Sequence, residues 1–108
     1  MNKFALILTL AIAISHGVLS QNSEPLSRIA FGSCSHQDDT AQLWKDIVAQ
    51  QPDLWIWMGD NIYGDTHDMQ LLEAKYDLQK SHPDYQALLQ STKVIGTWDD
   101  HDYGINDG

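Results

Sequence analysis

Leu54-Trp55-Ile56-Trp57-Met58-Gly59-Asp60-Asn61-Ile62-Tyr63 is the stretch on which the fold reading turns. Its first five residues are apolar without a polar alternation, and Gly59 closes the run. An unbroken apolar run of strand length predicts a strand covered on both faces, as in a parallel sheet. Gly59 lets the chain leave that strand tightly. Asp60 then projects from the strand end, where the two oxygens of one carboxylate can bridge two cations. Tyr63 stands three residues on and can face the same space through one turn. A phenolate is a hard oxygen donor suited to a ferric ion. Read on its own, Tyr63 is equally a core aromatic with a satisfied hydroxyl.

Working outward, Arg28-Ile29-Ala30-Phe31 reads as a short buried strand ended by Gly32-Ser33. Asp38, Asp39 or Thr40 caps an expected helix running to Gln50, with Leu43, Trp44, Ile47 and Val48 on one face and Pro52 beyond its end. Downstream, residues 68–80 and 83–90 read as two helices, the second with Pro83 in its first turn. Val94-Ile95-Gly96-Thr97-Trp98 is a third apolar run. Strand, helix, strand, helices, strand predicts an α/β layer. Adjacent parallel strands are expected at 28–31, 54–58 and 93–97, joined by right-handed crossovers.

Each strand leads at once into polar residues with ligand chemistry: Ser33-Cys34-Ser35-His36, then Gly59 to Tyr63, then Asp99-Asp100-His101-Asp102. The carboxyl ends of parallel strands share one edge, which is where open α/β sheets place their sites. Three segments distant in sequence should converge there. In the third, adjacent carboxylates repel unless a cation or cationic partner neutralises them. A helix N-cap or a solvated acidic loop would also account for such a cluster. His101 could bind a metal, or donate a proton near neutral pH. A Cys34 thiolate would be stabilised by a bound cation, and a buried inert thiol is the plainer alternative. His36 reads as a loop residue.

The 108-residue chain carries a formal net charge of −9. That excess of negative charge argues against nucleic-acid backbones and anionic lipid surfaces as partners, and fits a protein that holds hard cations. Cys34 is the single cysteine, so no internal disulfide is possible. At the start, Lys3 precedes an apolar run from Phe4 to Ile14, and Ser15 to Ser20 is more polar. This is the layout of a secretory signal peptide over residues 1–20, with the mature chain beginning near Gln21 and exported to the periplasm or the extracellular space. The run is shorter than the roughly 20 apolar residues of a membrane span, so no stable membrane anchor is expected. Residues 21–27 form a polar leader, and 28–108 the globular part.

Three segments together carry a family resemblance. Arg28-Ile-Ala-Phe-Gly-Ser-Cys-Ser-His, Leu54-Trp-Ile-Trp-Met-Gly-Asp-Asn-Ile-Tyr-Gly-Asp and Trp98-Asp-Asp-His-Asp-Tyr-Gly-Ile-Asn-Asp resemble the core of the alkaline phosphatase D family, within the calcineurin-like metallophosphoesterases. Ala74-Lys75-Tyr76 belongs to the same resemblance, with no chemistry assigned to it. The resemblance implies the N-terminal β-α-β-α-β portion of a four-layer α/β/β/α fold. It implies a dinuclear centre of Fe(III) and Ca(II), with other divalent metals as alternatives, acting on phosphate mono- or diesters. By motif, Cys34, Asp60, Tyr63 and Asp100 would bind metal, Asp60 bridging and Tyr63 and Cys34 on iron. His101 would be the catalytic histidine over the leaving group, and Asn61, Asp99 and Asp102 would support the ligands from behind. The superfamily completes its site with later histidine motifs that do not occur before Gly108. The chain is therefore expected to be an N-terminal fragment, poor or inactive by itself. A catalytically inactive product and a small acidic calcium-binding domain are the competing classes, although Asp99 to Asp107 lacks the regular donor spacing of a calcium loop.

Overall fold

The computed structural model describes residues 24–107. The signal-peptide reading at 1–20 and the start of the leader lie outside the described residues. Three strands, β1 (Ile29–Gly32), β2 (Leu54–Met58) and β3 (Lys93–Thr97), alternate with four helices, α1 (Trp44–Ala49), α2 (Met69–Ser81), α3 (Pro83–Ser91) and α4 (Asp100–Tyr103). The strands form one parallel sheet in the order β1-β2-β3. Ala30, Trp55 and Val94 stand level across it, as do Gly32, Trp57 and Gly96. The protein is thus a small α/β domain.

Side chains alternate between the faces of a strand, so Trp55 and Trp57 share one face of β2. They meet Trp44 from α1 and Tyr85 and Leu88 from α3 in a buried cluster. Trp44 lies edge-on to both, with ring centroids 5.4 and 5.3 Å away, the favourable arrangement for aromatic quadrupoles. Trp57 Nε1 donates to the Tyr85 hydroxyl at 3.0 Å, which satisfies a polar atom that burial would otherwise leave unpaired. Gly96 stands beside Trp57 because nothing larger fits: a Cβ there would lie 2.4 Å from the Trp57 Cβ.

Three expectations are corrected. β1 is not buried, and the second face of β2 is covered only in part: Leu54 is buried there, Ile56 is half-buried and Met58 is exposed. Ile29, Phe31, Met58 and Ile95, which point away from the tryptophans, are 51, 67, 55 and 47% exposed. A continuous apolar run cannot by itself reveal whether both faces are covered. The helix expected from Asp38–Thr40 begins only at Trp44. The preceding residues use their polar side chains locally instead. Asp39 Oδ1 accepts from Ala41 N at 2.8 Å and Gln42 Nε2 donates to His36 O at 2.8 Å, bonds that hold turns rather than a helix.

The other helix ends follow the sequence. Asp68 caps α2, accepting from Gln70 N and Leu71 N at 2.9 and 3.2 Å. Pro83 opens α3. Among the described residues no helix is long and apolar enough to cross a membrane.

Candidate metal centre

The carboxyl ends of all three strands meet at one edge. Ser35 N donates to Asp60 O at 3.0 Å, joining the first turn to the second. Gln37, 6% exposed, strengthens that joint: Tyr63 N donates to Gln37 Oε1 at 2.8 Å, and Gln37 Nε2 donates to Tyr63 O at 3.2 Å. The second turn meets the third through Gly64 N, which donates to His101 O at 2.9 Å. Glycine is required there, since a Cβ on Gly64 would lie 2.6 Å from that same carbonyl oxygen.

Asp60 stands at the centre. The Cys34 thiol approaches its Oδ2 at 3.5 Å. Asp60, Asp100 and His101 each bring one ligand atom to within 4.8 Å of the others. Asp60 Oδ1 is buried with no hydrogen-bond partner. Cys34 and Asp60 both occupy left-handed backbone, φ 57° and 49°, a conformation that costs a non-glycine residue on the order of 1 kcal/mol or more. Two strands thus end in strained turns that bring a thiol and a carboxylate together.

Tyr63 lies in the same group. Its ring stacks on His36 with centroids 4.9 Å apart and tilts against His101 at 4.5 Å. Burial pushes its pKa up to about 12, helped by a hydrogen bond with Cys34 and by the negative charges of Cys34, Asp60 and Asp65. Without a cation the phenol keeps its proton at neutral pH. His36, read from sequence as a loop residue, pairs with Asp38 and flanks Tyr63.

The expected supporting residues have different duties. Asp102, 2% exposed, is a structural carboxylate: Oδ1 accepts from Asn61 N at 2.7 Å and Ile62 N at 3.1 Å, and Oδ2 accepts from Asp99 N at 2.9 Å. Asp99 caps α4 in a reciprocal capping box with Asp102. The N-cap explanation of the acidic cluster therefore holds for these two residues, and Asp100 is left facing Asp60. Asn61 Nδ2 donates to Thr97 O at 3.1 Å, while its Oδ1 is buried without a partner.

Sequence reasoning assigned no role to Asp65, Gln37, Lys75 or Tyr76. Asp65 Oδ1 lies 2.5 Å from His101 Nδ1 and raises the imidazole pKa through that bond. Asp65 and Ala74-Lys75-Tyr76 were visible as motif residues, but their duties depend on distances that spacing does not encode.

The donor set fits a cation. A buried, unpartnered carboxylate oxygen is costly, and a metal ion is the kind of partner that a thiol, a phenol, a second carboxylate and an imidazole around it would share. In comparisons with known proteins, no family model, curated protein or solved structure matches the chain.

Proposed function

We propose that this chain carries the metal-binding, catalytic part of an exported, metal-dependent phosphoester hydrolase of the alkaline phosphatase D type. The observation that carries the reading is the buried, unpartnered Oδ1 of Asp60 among Cys34, Tyr63, Asp100 and His101. Leaving such an oxygen unsatisfied costs roughly 1–3 kcal/mol, more for a charged group, and a cation removes that cost.

Two donor sets share Asp60. Cys34 and Tyr63 form one, whose thiolate and phenolate suit iron. Asp100 forms the other with Asp60, an oxygen pair suited to calcium or another divalent ion. Cations held there supply Lewis acidity, neutralising phosphoryl oxygens and acidifying a water molecule. The chain's own residues do the rest. Asp60 and Asp100 fix the charge pattern that a phosphate ester must approach. His101 is held through Nδ1 by Asp65, which leaves Nε2 to give a proton to the departing oxygen. The apolar face formed by Ile29, Phe31, Met58 and Ile95 is the kind of surface that the second sheet of a four-layer fold would cover.

A small calcium-loop domain is the weaker reading. Asp99 and Asp102 are engaged in capping α4, so the acidic stretch has few free oxygens.

The test is metal loading by equilibrium dialysis with iron(III) and calcium, followed by hydrolysis of chromogenic phosphate mono- and diesters. The donors among the described residues fall short of a closed shell for two cations, so slow turnover is expected from this chain by itself. Asp60→Asn should abolish metal retention while leaving the metal-free chain at least as stable, because it removes one of two carboxylates that crowd each other at the site. His101→Ala should lower whatever turnover there is and keep the metal. A wild-type chain that retains no metal would overturn the reading.

A further inference from the structure

Helix α2 contributes no donor to the group around Asp60, yet two consecutive residues on it reach both turns that build the group. Lys75 Nζ donates to Tyr63 O at 3.1 Å and to Gly64 O at 2.7 Å. The Tyr76 hydroxyl donates to Asp102 O at 3.0 Å. Successive helix residues project roughly 100° apart, so one helix can address two different segments at the same level.

We propose that Lys75 and Tyr76 are positioning residues of the metal centre. Together they set the separation between the Asp60–Tyr63 turn and the Asp100–His101 segment. The inference rests on reading the Asp60 group as a metal site.

Three observations carry it. First, both carbonyls that Lys75 binds belong to neighbouring residues, so a single ammonium fixes the peptide joining Tyr63 to Gly64. That peptide determines where the Tyr63 side chain leaves the backbone, and with it whether the phenol reaches Cys34. Second, Lys75 is in no ion pair among the described residues, although acidic side chains are plentiful. Its half-buried ammonium is spent on main-chain carbonyls, so it fixes the turn rather than pairing with a carboxylate. It occupies no ligand atom of the group around Asp60. Third, Asp102 is the residue whose carboxylate already ties the two turns through Asn61 N and Ile62 N. Tyr76 binds the main-chain carbonyl of that residue, so α2 grips the joint itself. Burial and the nearby Asp102 charge push the Tyr76 pKa to about 12, so its hydroxyl remains a donor across the physiological range.

Groups that orient metal ligands through hydrogen bonds typically matter by about 10–100-fold in metal affinity. The experiment is a cobalt(II) titration of the full 108-residue chain, read by visible absorption, for wild type, Lys75→Met, Tyr76→Phe and Lys45→Met. Lys45 is exposed on α1, and its replacement makes the same charge change away from the centre. Metal-free unfolding midpoints are measured in parallel, to separate affinity from fold. Lys75→Met and Tyr76→Phe should each bind cobalt roughly 10-fold more weakly, with altered band shape, while Lys45→Met matches wild type. Should Lys75→Met fail to fold, Tyr76→Phe, which removes one hydroxyl oxygen, decides the matter. Either folded variant binding within about twofold of wild type would overturn the inference and leave the metal site standing. A wild-type chain that binds no cobalt would remove both.

Discussion

Along β2, Trp55 and Trp57 enter a packed aromatic cluster, while Met58, the next residue, is 55% exposed. The two faces of this sheet are built from the same strands and differ in what lies over them. Helices α1 and α3 cover one face, and their Trp44, Tyr85 and Leu88 fill it. The other presents Ile29, Phe31, Met58 and Ile95. Both faces are apolar, so composition does not separate them. On the covered face Trp57 is paired to Tyr85, Trp55 Nε1 is enclosed without a partner, and small residues stand where rings must pass. Its partners are written into the chain in detail, whereas the open face shows only hydrophobicity.

The sharpest way to break the comparison is on the covered face. Trp57→Ala removes a buried ring and the hydrogen bond to Tyr85, and should destabilise the chain by about 3–5 kcal/mol. For a small domain that is most of its stability, so urea denaturation should find the variant largely unfolded. A loss no larger than that of an open-face substitution would mean the aromatic cluster is not the core.

The carboxyl edge should respond to pH, and neither face should. The Asp65 carboxylate raises the His101 pKa, so the imidazolium is favoured in the folded chain. Stability from this pair is fully present below the ordinary histidine range near 6.5 and is lost as pH rises through the elevated folded value. In the metal-free state, the advantage of wild type over Asp65→Asn should therefore be larger at about pH 5.5 than at about pH 8. Urea midpoints for both chains at the two pH values measure it. A difference that grows with pH would contradict the pairing.

The smallest effect belongs to the open face. Phe31→Ser, at a ring 67% exposed, should change stability by no more than about 0.5 kcal/mol and improve solubility. A loss of several kcal/mol would show that this face is already covered in solution, and the contrast between the faces would disappear.

What the sequence disclosed divides along the same line. The three strands stand out as apolar runs closed by turn chemistry: β2 and β3 lie where expected, and β1 is displaced by a single residue, starting at Ile29 rather than Arg28. The ends of α2 and α3 were legible because Asp68 and Pro83 act locally. Exposure of β1 was not legible, since burial depends on what other segments do. Nor was the shortened α1, where Asp39 and Gln42 bond their own surroundings in place of a helix. At the site, the meeting of Cys34, Asp60, Tyr63, Asp100 and His101 followed from parallel strands sharing an edge. The division of labour among the acids did not. Asp102 and Asp100 are chemically alike and two residues apart, and only three-dimensional placement makes one a structural tie and leaves the other beside Asp60.

Strand order in the sheet is also chain order, β1 then β2 then β3. Each strand pairs with the one synthesised just before it, so no finished pair must open to admit a latecomer. A ribosome delivers roughly 5–20 residues each second, from the N-terminal end. The β1–β2 pair, with Trp44 already made, is therefore complete in the chain well before Lys93 emerges. β3 adds to an existing template and draws α4 in behind it. Asp100 and His101 arrive with that third strand, so the donor group around Asp60 closes only after β1 and β2 have paired.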